Sequence, residues 1–187
     1  VRQPEALGLG HAVLCAKPVV GNEPFAVILA DDLIAGDPGC LQQMMAVYEE
    51  YQGTVLGVEE VPADEVDRYG IVELKSKNGR VGEVSAIVEK PSVDRAPSNL
   101  AVVGRYILSP RIFSLLEKTQ KGAGGEIQLT DAIALLLEEE PVYTYQFKGK
   151  RYDCGSKLGY LKASVEYGLQ HPELQESFGQ YIKALNV

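Results

Sequence analysis

Carboxylates and one lysine occupy three separated points of this chain. Asp31 and Asp32 follow an apolar run at residues 25–30, Lys90 lies between Glu89 and Pro91, and Asp153 precedes a Cys-Gly pair. Mg²⁺ prefers one or two carboxylates together with phosphate oxygens and water. A lysine is a compact point charge suited to a phosphate group. These residue types favour a magnesium-assisted transfer of a nucleotidyl group, with Asp31, Lys90 and Asp153 as the candidate catalytic residues.

The Asp31-Asp32 pair is predicted to lie where a buried strand ends. Ligands of open α/β sheets bind at the carboxyl ends of strands, so Asp31 is a candidate metal ligand. Two other interpretations remain open from the pair alone. It could belong to a solvated loop or helix cap, or Asp31 could be the phosphoacceptor of a receiver-type domain.

Glu89 and Lys90 close a predicted strand at residues 81–89, and Pro91 then ends the strand because it has no N–H to donate. Lys90 could neutralise a phosphate, and Glu89 could accept hydrogen bonds from sugar hydroxyls. An ordinary exposed ion pair of little energetic value is the alternative. Gly70, at the start of another predicted strand, would let a ligand approach the backbone closely.

Two glycines, Gly8 and Gly10, precede a predicted helix near the start of the chain, and Gln3 lies just before them. The Gln3 amide can both donate and accept, as the recognition of a pyrimidine edge requires. A plain turn with a helix cap is the alternative, since a lone G-x-G is weak evidence. His11 is predicted to be structural.

Composition limits the class of protein. A chain of 187 residues can bury a core as one domain-sized unit. Its formal charge of -8 argues against a nucleic-acid partner, because surfaces that follow phosphates are basic. Its apolar runs are too short to cross a membrane. Three widely spaced cysteines favour neither a zinc site nor a disulfide framework, and they favour a cytoplasmic location.

The elements that must position these residues alternate between strand-like and helix-like patterns. This alternation predicts an α/β fold with a Rossmann-like mixed, mostly parallel sheet flanked by helices. The run at residues 25–30 is predicted to be a strand buried on both faces, and Lys77-Asn78-Gly79 to be a hairpin turn. We assign residues 1–187 to one domain. Residues 156–187 are predicted to form a C-terminal helical segment that packs between subunits of a homodimer or homotetramer.

Seven segments, taken in order, resemble the sugar-phosphate nucleotidyltransferases, and among them the bacterial UTP–glucose-1-phosphate uridylyltransferase family. The segments are QPEALGLGHA, FAVILADD, RYGIVE, VEKP, NLAVVGRYIL, GGEIQLTDAI and YDCGSKLGYLKASVEY. The resemblance implies that a phosphate oxygen of glucose 1-phosphate attacks the α-phosphorus of UTP. UDP-glucose forms and pyrophosphate leaves.

The resemblance also implies roles for single residues. Asp31 and Asp153 would hold Mg²⁺, and Lys90 would bind the phosphate of glucose 1-phosphate. Uracil would be contacted by Gln3 and Gly8. The sugar would be contacted by Asp32, Gly70 and Glu89.

One element of the family pattern is not found in this sequence, the glycine-rich loop G-x-G-T-R that cradles the triphosphate. The chain also begins at Val1 in what resembles mid-domain sequence. We therefore expect the N-terminal strands of the sheet to be missing. Two alternatives remain open: a sugar-1-phosphate nucleotidyltransferase that uses dTTP or ATP, and a non-catalytic nucleotide-sugar-binding or assembly module of the same fold.

Overall fold

Strands and α-helices alternate along the part of the chain that the computed structural model describes, which is residues 1–185 without the side chain of Ala123. The strands are β1 (Phe25–Ile28), β2 (Asp32–Ala35), β3 (Thr54–Glu60), β4 (Gly70–Asn78), β5 (Val81–Glu89), β6 (Leu100–Leu108), β7 (Val142–Gln146) and β8 (Lys150–Asp153). The helices are α1 (Leu9–Cys15), α2 (Lys17–Val20), α3 (Cys40–Tyr51), α4 (Ile112–Leu116), α5 (Leu129–Leu136), α6 (Lys157–Gln170) and α7 (Gln175–Ala184). Short 3₁₀ segments occur at Ala63–Arg68 and Ala123–Gly125.

The main sheet has six strands in the order β1-β6-β3-β7-β5-β4, so the predicted mixed sheet flanked by helices is confirmed. The prediction that it is mostly parallel is wrong for residues 1–185, where only β3 and β7 pair in parallel. Parallel neighbours need a long crossover connection. Instead β4, β5 and β6 follow one another without an intervening helix, and the predicted hairpin turn joins β4 to β5.

Every residue of β6 is buried, and its two faces belong to different cores. Val102 and Tyr106 point into a core shared with α1, α4 and α5. Val103 and Ile107 point to the other side and pack with α3. Because side chains alternate along a strand, one continuous apolar sequence supplies both faces of the sheet.

The strand predicted to be buried on both faces lies instead at an edge of the sheet. β1 pairs with β6 on one side, and its residues alternate between half-buried and exposed. Ile28 is 54% exposed. The prediction is wrong because burial on both faces needs a packed layer over each face, and in the described residues the face that carries Ala26 and Ile28 is exposed.

β2 and β8 form a separate two-stranded sheet, which we call the ribbon. In its antiparallel register Asp32 stands opposite Asp153, and Ile34 stands opposite Arg151. The backbone N–H of Cys154 donates to the carbonyl of Asp31 at 2.7 Å, which extends the pairing by one step. The sequence analysis does not predict β2, although this strand brings two distant acidic segments together.

The C-terminal helices pack on each other, and α6 also packs against β8 of the ribbon. Ser156 caps α6 by accepting a hydrogen bond from the N–H of Gly159. A side chain at Gly168 would collide with Phe178 of α7, so the two helices approach closely there. Of the predicted helical segment, residues 186 and 187 lie outside the described part. Within residues 1–185, none of the helices has the length and apolar character that a membrane crossing requires.

Candidate active site

A cavity of about 400 Å³ opens between the ribbon, the base of the β4–β5 hairpin and the middle of β6. Segments that are far apart in the sequence meet at this cavity. Six of the eight predicted site residues line it, namely Asp31, Asp32, Gly70, Glu89, Lys90 and Asp153. The other two, Gln3 and Gly8, lie beside its wall.

The two predicted metal ligands face the same small space at the end of the ribbon. A Cβ atom added to Gly155 would stand 3.1 Å from Asp153 Oδ1 and 3.2 Å from Asp31 Oδ2. Both carboxylates are therefore close to one point, and a side chain at Gly155 would crowd them. Within residues 1–185, no cluster of three or more Asp, Glu, His or Cys residues is arranged to hold a metal.

Asp32 points away from this space and forms a buried ion pair. Its Oδ1 accepts from Arg151 Nε at 2.6 Å, and its Oδ2 accepts from the N–H of Gly104 in β6 at 2.6 Å. The side chains of Asp32 and Arg151 are 8% and 10% exposed. The ion pair thus joins the two strands of the ribbon, and the bond from Gly104 fastens the ribbon to β6. A direct sugar contact by Asp32 stays a prediction, and it would have to coexist with both of these bonds.

The segment before β4 supplies a second arginine and an aromatic ring. Arg68 donates to Asp153 Oδ2 at 2.9 Å, so a metal bound to Asp153 would share that carboxylate with a guanidinium group. The hydroxyl of Tyr69 lies 3.4 Å from Arg151 Nη1, and the guanidinium lies 5.2 Å from the centre of the Tyr69 ring. Both arginines therefore link the ribbon to the base of the hairpin.

At the base of the hairpin, Gly70 stands opposite Glu89. A Cβ atom at Gly70 would lie 3.3 Å from Glu89 Oε2 and 3.0 Å from Thr130 Oγ1, so a larger residue would crowd this carboxylate. Lys90 has a φ of 46°, which is unusual for a residue with a side chain. Its N–H donates to the carbonyl of Tyr69 at 2.9 Å, and its half-exposed ammonium group lies 3.8 Å from Glu89 Oε1.

Gln3 and Gly8 are joined by a hydrogen bond beside the cavity wall. Gln3 Nε2 donates to the carbonyl of Gly8 at 3.1 Å. Gly8 has a φ of 98°, and a Cβ atom there would stand 2.7 Å from the Cβ of Glu126, which lines the cavity. The next residue, Leu9, also lines it. The predicted base-binding pair therefore adjoins the cavity without lining it.

Burial and charge shift the acidity of two groups at this site. Burial alone would lower the pKa of Arg151, but the hydrogen bond with Tyr69 and the charge of Asp32 hold its pKa above the ordinary arginine value. Arg151 is therefore a permanent cation. The pKa of the Tyr106 hydroxyl is also raised, first by burial and then by the charges of Glu89 and Asp32, so this hydroxyl stays protonated.

Two cavity residues, Arg68 and Arg151, receive no role from the sequence analysis. Each adjoins a residue that the motifs do mark, since Arg68 lies two residues before Gly70 and Arg151 two residues before Asp153. Their positions beside these motifs were the only sign in the sequence that both arginines belong to the site. What the sequence could not show was the pairing of Arg151 with Asp32, 119 residues away.

Comparison with protein families assigns the class to which this fold and site belong. Residues 1–169 match the family model described as "Nucleotidyl transferase". The match covers most of the chain, and the chain therefore belongs to the nucleotidyl transferase family.

Individual relatives narrow the comparison. The chain is 50% identical over all its 187 residues to a UTP–glucose-1-phosphate uridylyltransferase of Staphylococcus epidermidis, of which it spans 65%. It is 47% identical over 185 residues, 99% of its length, to the protein of the same name from Bacillus subtilis, of which it spans 63%. This chain is thus just under two thirds as long as these relatives.

Solved structures show the same similarity. A UDP-glucose pyrophosphorylase complexed with UDP-glucose matches with a TM-score of 0.87 and 49% identity, over 89% of this chain and 64% of that one. A UTP-bound UGPase from Acinetobacter baumannii matches with a TM-score of 0.87 and 50% identity, over 97% and 64%. A putative glucose-1-phosphate thymidylyltransferase of Bacillus anthracis, 23% identical with a TM-score of 0.68 over 87% and 62%, shares the fold.

Proposed function

We propose that this chain carries the sugar-phosphate side of a UTP–glucose-1-phosphate uridylyltransferase site, which forms UDP-glucose and pyrophosphate. The observation that carries the proposal is the meeting of Asp31, Asp153, Glu89 and Lys90 at one cavity. The relatives support it, since proteins of that name are about half identical along the whole chain.

The side chains at the cavity suit this reaction. Lys90 would bind the phosphate of glucose 1-phosphate, and Glu89, beside the side-chain-free Gly70, would accept from sugar hydroxyls. The attacking phosphate oxygen is already ionised, so no general base is required. Positioning and charge neutralisation then supply the catalysis. Asp32 would act mainly by pairing with Arg151 inside the ribbon and by holding the ribbon against Gly104 of β6.

Asp31 and Asp153 suit Mg²⁺ in their chemistry. They are two hard oxygen donors beside an open space, as Mg²⁺ prefers when phosphate oxygens and water complete its coordination. Zinc sites usually have three or four protein ligands, most of them nitrogen or sulfur donors. When bound, the metal would supply positive charge against the phosphates. Asp31 and Asp153 would hold it, with Arg68 sharing the Asp153 carboxylate.

The test is pyrophosphorolysis, in which the chain is incubated with UDP-glucose, pyrophosphate and magnesium while UTP release is followed. UTP formation that falls at least about 100-fold in Lys90→Ala would support the proposal. Lys77→Ala, which removes an exposed lysine at the hairpin, is the matched control and should keep full activity.

A folded chain that releases no UTP would contradict the proposed activity of these 187 residues. Titration with UDP-glucose then separates two explanations. Binding without turnover would favour the non-catalytic nucleotide-sugar-binding module, whereas no binding would remove the nucleotide-sugar site. In the direction of synthesis from glucose 1-phosphate, faster turnover with dTTP or ATP than with UTP would favour the related nucleotidyltransferases.

We also propose that α6 and α7 form the contact between subunits of a homo-oligomer. Leu158, Tyr160 and Leu161 of α6 are each about 60% exposed, as is Tyr181 of α7. Apolar patches of this kind mark interaction surfaces. Removing the residues after 170 should lower the mass measured by light scattering. Leu161→Glu should lower the number of subunits with α7 intact. An unchanged number of subunits in both variants would count against the contact.

A cytoplasmic location is the remaining proposal. Cys15, Cys40 and Cys154 are all free thiols, which suits a reducing compartment. Burial raises the pKa of the Cys40 thiol to about 11, so this cysteine is inert at neutral pH. Fractionation of the cells that make the protein, followed by detection with an antibody, would test the location.

A further inference from the structure

Tyr106 of β6 lines the cavity with a hydroxyl group that the sequence analysis does not mark. The residue is 7% exposed, and its ring packs in the apolar core shared with α4 and α5. Within residues 1–185, the hydroxyl forms no hydrogen bond with the protein. A buried polar group without a partner is costly, because it has given up its bonds to water without replacing them. A partner from outside the chain would remove that cost.

The hydroxyl of Tyr106 is open to the cavity. Within the described residues, every fully enclosed side-chain oxygen or nitrogen has a hydrogen-bond partner. The Tyr106 oxygen has none, so it is not fully enclosed, and the cavity is the space that this residue lines. A protonated phenol in this position can donate one hydrogen bond to a ligand.

Glu89 supplies an acceptor at the same cavity. Its side chain is 12% exposed, and in the described part of the chain its carboxylate has the ion pair with Lys90, at 3.8 Å, and no hydrogen bond. Glu89 Oε2 faces the space beside Gly70, where an added Cβ atom would stand 3.3 Å away. A hydroxyl group is the ligand that suits both Tyr106 and Glu89, because it accepts and donates at once.

The charges around Tyr106 favour an uncharged ligand group. The carboxylates of Glu89 and Asp32 both act on the hydroxyl, against the guanidinium of Arg151. The balance at this point is negative, and charges repel each other more strongly where burial excludes water. A phosphate oxygen is therefore disfavoured beside Tyr106, whereas a neutral sugar hydroxyl is not.

We propose that Tyr106 is a substrate-binding residue that donates a hydrogen bond to one hydroxyl of the sugar, which in turn donates to Glu89. The inference rests on the proposed function and adds a residue to its sugar site. A site with a buried donor and acceptor discriminates strongly against a ligand that lacks the matching group. Tyr106 thus acts in the recognition of the sugar and leaves the nucleotide unaffected.

The test is Tyr106→Phe, which removes one oxygen and keeps the ring. Isothermal titration calorimetry in the presence of magnesium measures the affinities for UDP-glucose and for UDP. UDP-glucose should bind about 5-fold to 10-fold more weakly than to the wild type, and the affinity for UDP should be unchanged. Tyr48→Phe is the matched control, because it removes the hydroxyl of a half-buried tyrosine on α3 that does not line the cavity. It should change neither affinity.

Two further measurements separate binding from a structural role. The melting temperature of ligand-free Tyr106→Phe should equal or exceed that of the wild type, because no hydrogen bond inside the protein is lost. Analogues of UDP-glucose that each lack one sugar hydroxyl should include one that binds equally to Tyr106→Phe and to the wild type, since its partner for Tyr106 is already absent.

An unchanged affinity of Tyr106→Phe for UDP-glucose would overturn the inference. An equal loss of affinity for UDP would overturn it too, by placing the hydroxyl at the nucleotide. So would a lower melting temperature of the ligand-free variant, which would show a partner inside the protein. A wild-type chain that binds no UDP-glucose would instead contradict the proposed nucleotide-sugar site itself, together with the role of Tyr106.

Discussion

The six-stranded sheet and the two-stranded ribbon are held in place by different forces. The sheet is enclosed by apolar side chains, and every residue of β6 is buried between two helical layers. The ribbon has four residues in each strand, and a buried ion pair between Asp32 and Arg151 joins these two strands. The Asp32 carboxylate also accepts from the N–H of Gly104 in β6, which fastens the ribbon to the sheet. Hydrophobic burial is tolerant of detail, whereas a buried ion pair stabilises only if its geometry is complete.

This difference matters because the ribbon carries the candidate metal ligands. Asp31 directly precedes β2, and Asp153 is the last residue of β8. A small error in the ribbon would therefore displace both carboxylates at once. Polar anchoring gives a defined orientation that apolar packing alone does not supply, and the following predictions test this division between the two regions.

The largest effect is expected for Arg151→Met. The substitution keeps the volume of the side chain but leaves the Asp32 carboxylate buried without its cation, which should cost about 3–5 kcal/mol of unfolding free energy. Urea denaturation measures this cost. Lys150→Met, one residue earlier, breaks an exposed ion pair with Glu166 and should lower the unfolding free energy far less.

Adding Asp32→Asn to Arg151→Met should recover part of that loss, since the unpaired charge is then removed. Equal stability of Arg151→Met and Lys150→Met would refute a stabilising role for the buried pair of Asp32 and Arg151. UDP-glucose affinity should fall in Arg151→Met even at temperatures where the variant is fully folded, because Asp31 and Asp153 depend on the ribbon.

A smaller effect, confined to stability, is expected for Ile133→Ala on the sheet side. Ile133 is fully buried between α5 and the sheet, and the cavity left by its truncation should cost about 3 kcal/mol. Leu135→Ala on the same helix removes a side chain that is 37% exposed and should cost less than about 1 kcal/mol. Folded Ile133→Ala should bind UDP-glucose as the wild type does, and a large loss of affinity would show that the two regions are not separable.

The smallest effect concerns acid pH and the junction between the ribbon and α6. Hydrogen bonds from Lys150 and Tyr152 lower the pKa of Glu166 below its ordinary value of 4.5. A lowered carboxyl pKa means that the stabilisation is present above the ordinary value and is lost as pH falls through the lowered one. The wild-type urea midpoint should therefore drop on acidification below about pH 4.5 by more than that of Glu166→Gln.

Glu176→Gln on α7 is the matched control for this measurement, because Glu176 forms no ion pair within residues 1–185. It should follow the wild-type acid profile. If Glu166→Gln follows that profile as well, the junction contributes nothing to the pH dependence.

Much of the fold could be predicted because local patterns suffice where burial and turn chemistry act locally. The Asn-Gly turn between β4 and β5, the Ser156 cap of α6 and the run that becomes β6 all follow from short segments. The strand directions, predicted to be mostly parallel and found to be mostly antiparallel, could not be predicted, since they depend on which strands become neighbours. Burial of β1 on both faces was also predicted wrongly, because the local sequence does not show which faces other elements cover, and Ile28 is exposed.

The candidate site divides in the same way. Motifs marked Asp31, Glu89, Lys90 and Asp153, since carboxylates and a lysine at strand ends have recognisable chemistry. They did not mark Arg151, whose role depends on a partner elsewhere in the chain. Nor could they show the contact between His11 and Gln3, which spans eight residues across an irregular turn that no periodicity describes.

The amino-acid sequence by itself determined which side chains are available for chemistry, where most strands and helices form, and the family to which the chain belongs. Only the tertiary structure decided that Asp31 and Asp153 share one space and that Asp32 is committed to Arg151 and Gly104. The physical reason is that types and periodicities are properties of neighbouring residues. A hydrogen bond or ion pair in a buried site is a property of distances, and those exist only once the ribbon has docked on the sheet.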